Sequence, residues 1–313
     1  MTALMDLYCR HKIIEQLSLT GSNLLSTYSV CAVIVTYHPE AAVIENIAAV
    51  YSQANGVVVV DNGSNPNSLR LLRDAAKTLG FHLIENGENL GIAAALNVGV
   101  KWGLEHEYPW VILFDQDSRV SERFIEQMLE TYYEATSSSR IAIIAPTYID
   151  RNTGVRVRLM RSSNGEVLTT MTSGSLSPLS IFLECGYFDE SLYMDYVDIE
   201  YCLRVRRKKM LIRQSRAELF HSLGRTTYHR FFNLRFGATN HSARRRYYIT
   251  RNRLRLLARY FEDFPWLWRE SLATLSDAIK VILVEKDRGE KISAMAKGVR
   301  DASLERTGRQ FEL

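Results

Sequence analysis

The sequence predicts an α/β fold on a mainly parallel mixed sheet flanked by helices, and three observations predict it. Short apolar runs with buried-strand character recur at Val30–Thr36, Val57–Val60, Phe81–Ile84 and Trp110–Phe114. Between them, apolar residues return at helical spacing. The joints are rich in Gly, Asn, Ser and Pro, which dominate turns. Strands alternating with helices in this way build a parallel sheet covered on both faces.

Taken in order, the first run stops at His38-Pro39, and Val43, Ile44, Ile47 and Val50 mark a helix that Gly56 is expected to end. Val57–Val60 is β-branched throughout and suits a pleated, buried surface. It runs into Asp61-Asn62-Gly63-Ser64-Asn65-Pro66, with Pro66 suited to a helix's first turn. Leu69, Leu72, Ala76 and Leu79 carry that helix, and Gly80 closes it. Phe81–Ile84 is the third strand, residues 91 to 105 the third helix, and Trp110–Phe114 the fourth strand. Ile141–Ala145 is another strand, in a middle section made loop-rich by Gly154, Gly165, Gly174 and Pro178. From His221 arginine and aromatic residues dominate, followed by an amphipathic helix through Glu285. The expected division is an extension over 1–28, a catalytic domain over 29–220 and a helical carboxyl-terminal region over 221–313.

Composition narrows the class. The chain has 313 residues and a formal net charge of +4, with the apolar and charged fractions of an ordinary globular protein. Cys9, Cys31, Cys185 and Cys202 are widely spaced with no Cys-x-x-Cys, which argues against a zinc site or disulfide framework and fits a reducing compartment. Asp6, Arg10, Lys12 and Glu15 interrupt any signal-peptide pattern. No stretch reaches the roughly 18 apolar residues of a spanning helix. The expected location is cytoplasmic, with any membrane contact peripheral. Neither Gly-x-Gly-x-x-Gly nor a P-loop follows the first strand, which disfavours dinucleotide and P-loop sites.

The fourth strand ends in Asp115-Gln116-Asp117. Carboxyl ends of strands are where open α/β sheets place ligands. Two close carboxylates are costly unless they share positive charge, and a divalent cation on a phosphate supplies it. The alternative is a solvated loop.

Several motifs then fall into order: Val35-Thr36-Tyr37, Val60-Asp61-Asn62-Gly63-Ser64, Asn89-Leu90-Gly91-Ile92-Ala93-Ala94-Ala95-Leu96-Asn97, Phe114-Asp115-Gln116-Asp117-Ser118, Gly186-Tyr187-Phe188-Asp189-Glu190 and Asp195-Tyr196-Val197-Asp198-Ile199-Glu200. In this order the chain resembles family 2 glycosyltransferases with the GT-A nucleotide-diphospho-sugar transferase fold, and among them bacterial rhamnosyltransferases. The resemblance covers about residues 30–300.

The resemblance implies roles. Asp61, with Thr36 beside it, would read the base of the nucleotide-sugar, although the same residues are equally a tight turn. Gly91 and Asn97 would approach the donor, or pack a helix closely on the sheet. Asp115 would lie near the ribose, and Asp117 would ligate Mg²⁺ or Mn²⁺ with His221 completing the site. Asp198 would be the general base. The family's usual Glu-Asp is here Val197-Asp198, and Asp195 and Glu200 compete; on a helix Asp195 and Asp198 would share a face at i,i+3. The implied reaction is metal-dependent, inverting transfer of L-rhamnose from dTDP-rhamnose to a saccharide or lipid-linked saccharide in cell-surface polysaccharide (O-antigen or capsule) biosynthesis. The family's processive synthases carry Gln-x-x-Arg-Trp, absent here.

In the tail, Arg244, Arg251, Arg255 and Arg259 are spaced to share a helix face, read as facing anionic lipid or diphosphate at the inner face of the cell membrane. Arg225 and Arg251, with Asp195, are acceptor or diphosphate candidates. No nucleic-acid motif accompanies the arginines. Trp268, Leu272, Leu275, Ile279 and Ile282 form an apolar stripe, read as packing on the catalytic domain or on a second subunit in a homo-oligomer. Arg204, Arg206, Arg207, Lys208 and Lys209 read as a solvated face. Two rival functions stand beside the transferase: a nucleotidyltransferase, and a non-catalytic, membrane-associated nucleotide-sugar-binding protein.

Overall fold

The computed structural model describes residues 27–135, 140–222, 227–231 and 234–310, with side chains left aside at 227–237, 270 and 271. The first strand, β1 (Val30–Thr36), is buried along its whole length. Its side chains alternate between two cores, as a period of two requires. Cys31, Val33 and Val35 join one cluster, and Val30, Ala32 and Ile34 the other. This two-sided burial explains why the strand reads as a continuous apolar run.

The chain continues through α1 (Val43–Tyr51), β2 (Gly56–Asp61), α2 (Pro66–Leu79), β3 (His82–Glu85), α3 (Ile92–Glu105) and β4 (Trp110–Asp115). Gly56 begins β2 instead of ending the preceding helix, which already stops at Tyr51. The Asn65 side chain caps α2, accepting from the amides of Asn67 and Ser68, and Pro66 occupies the first turn. Helix α3 packs closely on β1: a Cβ on Gly99 would lie 2.1 Å from Val33 Cγ1.

After β4 come β5 (Arg119–Val120), α4 (Phe124–Tyr133), β6 (Ile141–Asp150), β7 (Leu176–Pro178), α5 (Ser180–Cys185), α6 (Val197–Arg207) and β8 (Leu211–His221). Strand β6 runs five residues past the expected Ala145, because it pairs along its length with β8. The eight-stranded sheet has the order β3-β2-β1-β4-β7-β6-β8-β5. The first four are mutually parallel, β7 is antiparallel to β4 and β6, and β5 is antiparallel to β8. The expected α/β class and mixed, mainly parallel sheet are therefore present.

The expected boundary at His221 falls at the last residue of β8. A hairpin, β9 (Thr227–Phe231) and β10 (Leu234–Ala238), precedes α7 (Ala243–Tyr260), α8 (Trp268–Val284) and α9 (Arg288–Ser303). Leu256 and Tyr260 of α7 join the core cluster that holds α3, α5 and α6. Among the described residues, no helix is long and apolar enough to cross a membrane.

Candidate active site

Register assembles the site. Thr36 pairs with Asp61 across β1 and β2, and Val35 pairs with Asp115 across β1 and β4, so the two carboxylates end the strands on either side of β1. Across the sheet, the antiparallel pairing of Arg119 with Phe220 brings the end of β8 back to the turn after β4. His221 thereby meets Asp117, with Nδ1 3.3 Å from Oδ1.

Ligand atoms of Asp115, Asp117 and His221 all lie within 4.8 Å of one another, each residue half-buried. Two carboxylates and an imidazole converging without intervening bulk are a donor set that fits a divalent cation with mixed oxygen and nitrogen ligands. Burial raises the Asp115 carboxyl above its ordinary range, opposed by the His221 and Arg245 charges and reinforced by Asp117. Burial pulls His221 down, but the hydrogen bond and charge of Asp117, together with Asp115, carry it above its usual value.

Two serines not assigned from the sequence brace this cluster. The Asp115 amide donates to Ser173 Oγ (3.1 Å), which bonds Ser118 Oγ (2.6 Å), which in turn meets His221 Nδ1 (3.1 Å). Ser118 is adjacent to Asp117 and was within reach of the motif; Ser173 lies 55 residues further on and had no local signal.

Asp61 is 0% exposed. Its Oδ1 accepts from Thr36 Oγ1 (3.2 Å) and Ser64 Oγ (2.5 Å), and its Oδ2 from the amides of Gly63 (3.2 Å) and Ser64 (2.8 Å). Four donors fill a carboxylate's capacity. The residue heads a tight turn, and a base imide would have to displace one of these partners.

Gly91 and Asn97 are engaged with protein. Gly91 has φ +88°, and a Cβ there would lie 2.5 Å from the Tyr193 carbonyl oxygen, so only glycine fits this approach. Asn97 is buried, donating to the Phe188 carbonyl (3.0 Å) and Glu190 (2.8 Å) and accepting from the Phe188 amide (2.9 Å). Of their two expected uses, the geometry builds the packing one.

The three acidic candidates near α6 separate by partner. Glu200 is buried, held by Arg204 (2.6 and 3.1 Å) and by the Tyr260 hydroxyl (2.6 Å). Asp195 lies before the helix at φ +58°, so the expected shared helical face with Asp198 does not form. Arg245 Nε donates to Asp195 Oδ1 at 3.0 Å. Asp198 accepts the Ile199 amide (2.8 Å) and has no ion pair among the described residues. Burial, opposed by that amide and reinforced by the charges of Asp195 and Asp115, pushes its carboxyl up to about 6. It lines a depression with Thr170, Ser175, Phe188 and Tyr201.

The arginine face is corrected. Arg251 is 0% exposed and donates to the carbonyls of Gly308 (2.8 Å), Leu192 (2.9 Å) and Ser191 (3.3 Å), so it is not open to lipid or diphosphate. Arg244 donates to the Tyr193 hydroxyl (2.8 Å), Arg255 reaches Ser191 Oγ (3.5 Å) and Arg259 pairs with Asp189 (2.7 Å). All four point at the 189–193 segment because α7 docks there. Arg204 and Arg206 are likewise structural, bonded to the carbonyls of Cys185, Tyr187 and Val167. Arg225 lies outside the described residues. The apolar stripe of α8 faces outward, Trp268 50% and Leu275 61% exposed, so it does not pack on the catalytic domain.

A mainly parallel sheet that ends in a carboxylate–imidazole cluster, with the buried carboxylate of Asp198 on α6, has the donor set of a metal-assisted group-transfer enzyme. Residues 31–188 match glycosyl transferase family 2, and the chain belongs to that family. It is a glycosyltransferase, which removes the nucleotidyltransferase and non-catalytic alternatives. It is 31% identical to the dTDP-rhamnosyl transferase RfbF of Shigella flexneri, over 84% of this chain and 91% of that one. Among solved structures it resembles the mannosyltransferase PcManGT of Pyrobaculum calidifontis, in complex with GDP-Man and Mn²⁺, with a TM-score of 0.58, 14% identity, and 96% and 94% of the two chains covered. It also resembles S. aureus TarS in complex with UDP-GlcNAc, with a TM-score of 0.52, 14% identity, and 88% and 73% covered. The chain spans 43% of the longer solved TarS chain. These two likenesses concern the GT-A-like fold alone.

Proposed function

We propose that the chain is a metal-dependent, inverting rhamnosyltransferase. It would move L-rhamnose from dTDP-rhamnose to a saccharide or lipid-linked saccharide acceptor in cell-surface polysaccharide assembly. The observation that carries this reading is the meeting of Asp115, Asp117 and His221 within 4.8 Å, in the electrostatic reach of a carboxylate, Asp198, that has no ion pair among the described residues. The 31% identity to a dTDP-rhamnosyl transferase supports the donor.

Asp117 and His221 would hold Mg²⁺ or Mn²⁺, with Asp115 toward the donor ribose. The ion, when bound, supplies Lewis-acid charge to a departing diphosphate. Asp198 takes the acceptor hydroxyl proton as that oxygen attacks the anomeric carbon, and the bond to the diphosphate oxygen breaks with its electron pair. A carboxyl raised to about 6 is a stronger base than an ordinary aspartate yet is still ionised at neutral pH. Asp195 is a weaker candidate because Arg245 already neutralises it.

The reading includes a peripheral position at the inner face of the cell membrane. Its support is the outward face of α8, where Trp268, Leu272, Leu275, Ile279, Ile282 and Leu283 are all exposed, with Arg269 beside them.

The test is transfer across a panel of nucleotide-sugars with Mg²⁺, Mn²⁺ or chelator. Transfer from dTDP-rhamnose that chelator abolishes is expected. Equal turnover in chelator, or preference for another sugar, would remove the corresponding part.

A further inference from the structure

Arg245 sits in the first turn of α7, its amide fixed by the Ser242 side chain at 3.3 Å. Its Nε donates to Asp195 Oδ1, and it is half exposed. A guanidinium carries five donors. Among the described residues, the two Nη groups have no hydrogen-bond partner. Beneath it, Asp195 Oδ2 is buried and unpartnered. A half-exposed ion pair adds about 1 kcal/mol or less to stability. Stability therefore gives little reason to bury Asp195 under it.

Position gives a better reason. The Arg245 charge is felt at Asp115, and the Asp195 charge at Asp198. The guanidinium, contributed by the carboxyl-terminal region, is thus fixed on Asp195, three residues before Asp198, and within electrostatic reach of Asp115. Asp195 anchors the Nε edge, which leaves the planar Nη fork as the free end. That fork matches two oxygens of a phosphate group, and its weak hydration lowers the cost of taking one up.

We propose that Arg245, anchored by Asp195, binds the diphosphate of the nucleotide-sugar and of the nucleoside diphosphate product. The proposal rests on the donor reading above and deepens it. As the anomeric carbon–oxygen bond breaks, negative charge grows on the diphosphate, and fixed N–H donors stabilise it without reorganising. The device was not legible beforehand, since Arg245 lies off the spacing that groups Arg244, Arg251, Arg255 and Arg259.

The experiment compares diphosphate with monophosphate. Wild type, R245Q and R245K are titrated calorimetrically with dTDP and dTMP in MnCl₂, and with UDP/UMP and GDP/GMP as base controls. R245Q is expected to weaken dTDP by roughly 10- to 100-fold while leaving dTMP within about twofold, with R245K between. Unchanged dTDP affinity overturns the proposal. So does an equal loss for dTDP and dTMP, which would mean that Arg245 only braces Asp195. Wild type binding UDP or GDP instead of dTDP would refute the donor base, while the same comparison in that base still decides Arg245. Wild type binding none of the three diphosphates overturns both readings.

Discussion

Asn252 holds Asp195 by its backbone: the Asn252 Nδ2 donates to the Asp195 carbonyl at 3.0 Å and also to those of Met194 (2.8 Å) and Leu192 (3.0 Å). The segment it grips is strained, with φ of +66° at Tyr193, +58° at Asp195 and +66° at Tyr196. Non-glycine residues in such conformations cost about 1–3 kcal/mol each and persist only where the surroundings over-determine them. Arg251 adds donors to Ser191 and Leu192, and the Ile92 amide donates to the Tyr193 carbonyl (2.8 Å). A clamp on α7 thus sets the backbone that leads into Asp198.

Removing the clamp should release that strain. N252A should lower unfolding free energy by about 3 kcal/mol, since buried carbonyls lose their donor. N252D keeps the shape but faces acceptors with acceptors, and should be at least as damaging. Denaturant unfolding read beside kcat checks this; N252D behaving as wild type would contradict it.

Protonation of Asp198 should set the acid limb of activity. Its carboxyl stands at about 6, so below that pH it carries the proton and cannot accept another, and above it the base is free. The profile of kcat/KM should therefore fall by about tenfold per pH unit below the limb and level off above it. A rate flat from about pH 5 to about pH 8 would exclude this group as the base.

The carboxylate–imidazole cluster should divide by ligand type. D117N should lose about 100-fold or more in transfer, because a charged ligand is replaced by a neutral one. H221A should lose less, and lose more with Mn²⁺ than with Mg²⁺, because magnesium prefers oxygen. An equal response to both metals would argue that His221 only neighbours Asp117.

The outward face of α8 should carry surface binding. L275E/I279E removes two exposed apolar side chains without touching the core. Co-sedimentation with anionic vesicles should fall while transfer to a soluble acceptor persists. If vesicle binding stays and a dimer dissociates instead, the stripe joins two copies of the chain.

The parts of this architecture written locally were legible. Val30–Thr36 and Trp110–Phe114 read as strands because burial on both faces leaves an unbroken apolar run, and Pro66 announced the first turn of a helix. Asp115 and Asp117 were visible because a strand end fixes where its next residues go. What escaped depends on partners distant in sequence. Asp195 and Asp198 looked like one helical face, but the helix starts only at Val197, with the strained segment before it. The arginines of α7 looked like a charged surface, since spacing reveals which residues share a face but not what covers it. Their partners, the Ser191 and Leu192 carbonyls, lie some 60 residues away. Trp268–Ile282 is the reverse case: the apolar stripe was legible, but spacing could not say that the catalytic domain leaves it uncovered.

The most direct test of the central claim is single-turnover transfer from dTDP-rhamnose in wild type and D198N, with dTDP binding measured alongside. Wild type should transfer the sugar with inversion at the anomeric carbon. D198N should bind dTDP normally and transfer roughly 100- to 10,000-fold more slowly, the range expected for losing a general base. Undiminished transfer in D198N, or retention of anomeric configuration, would contradict the account.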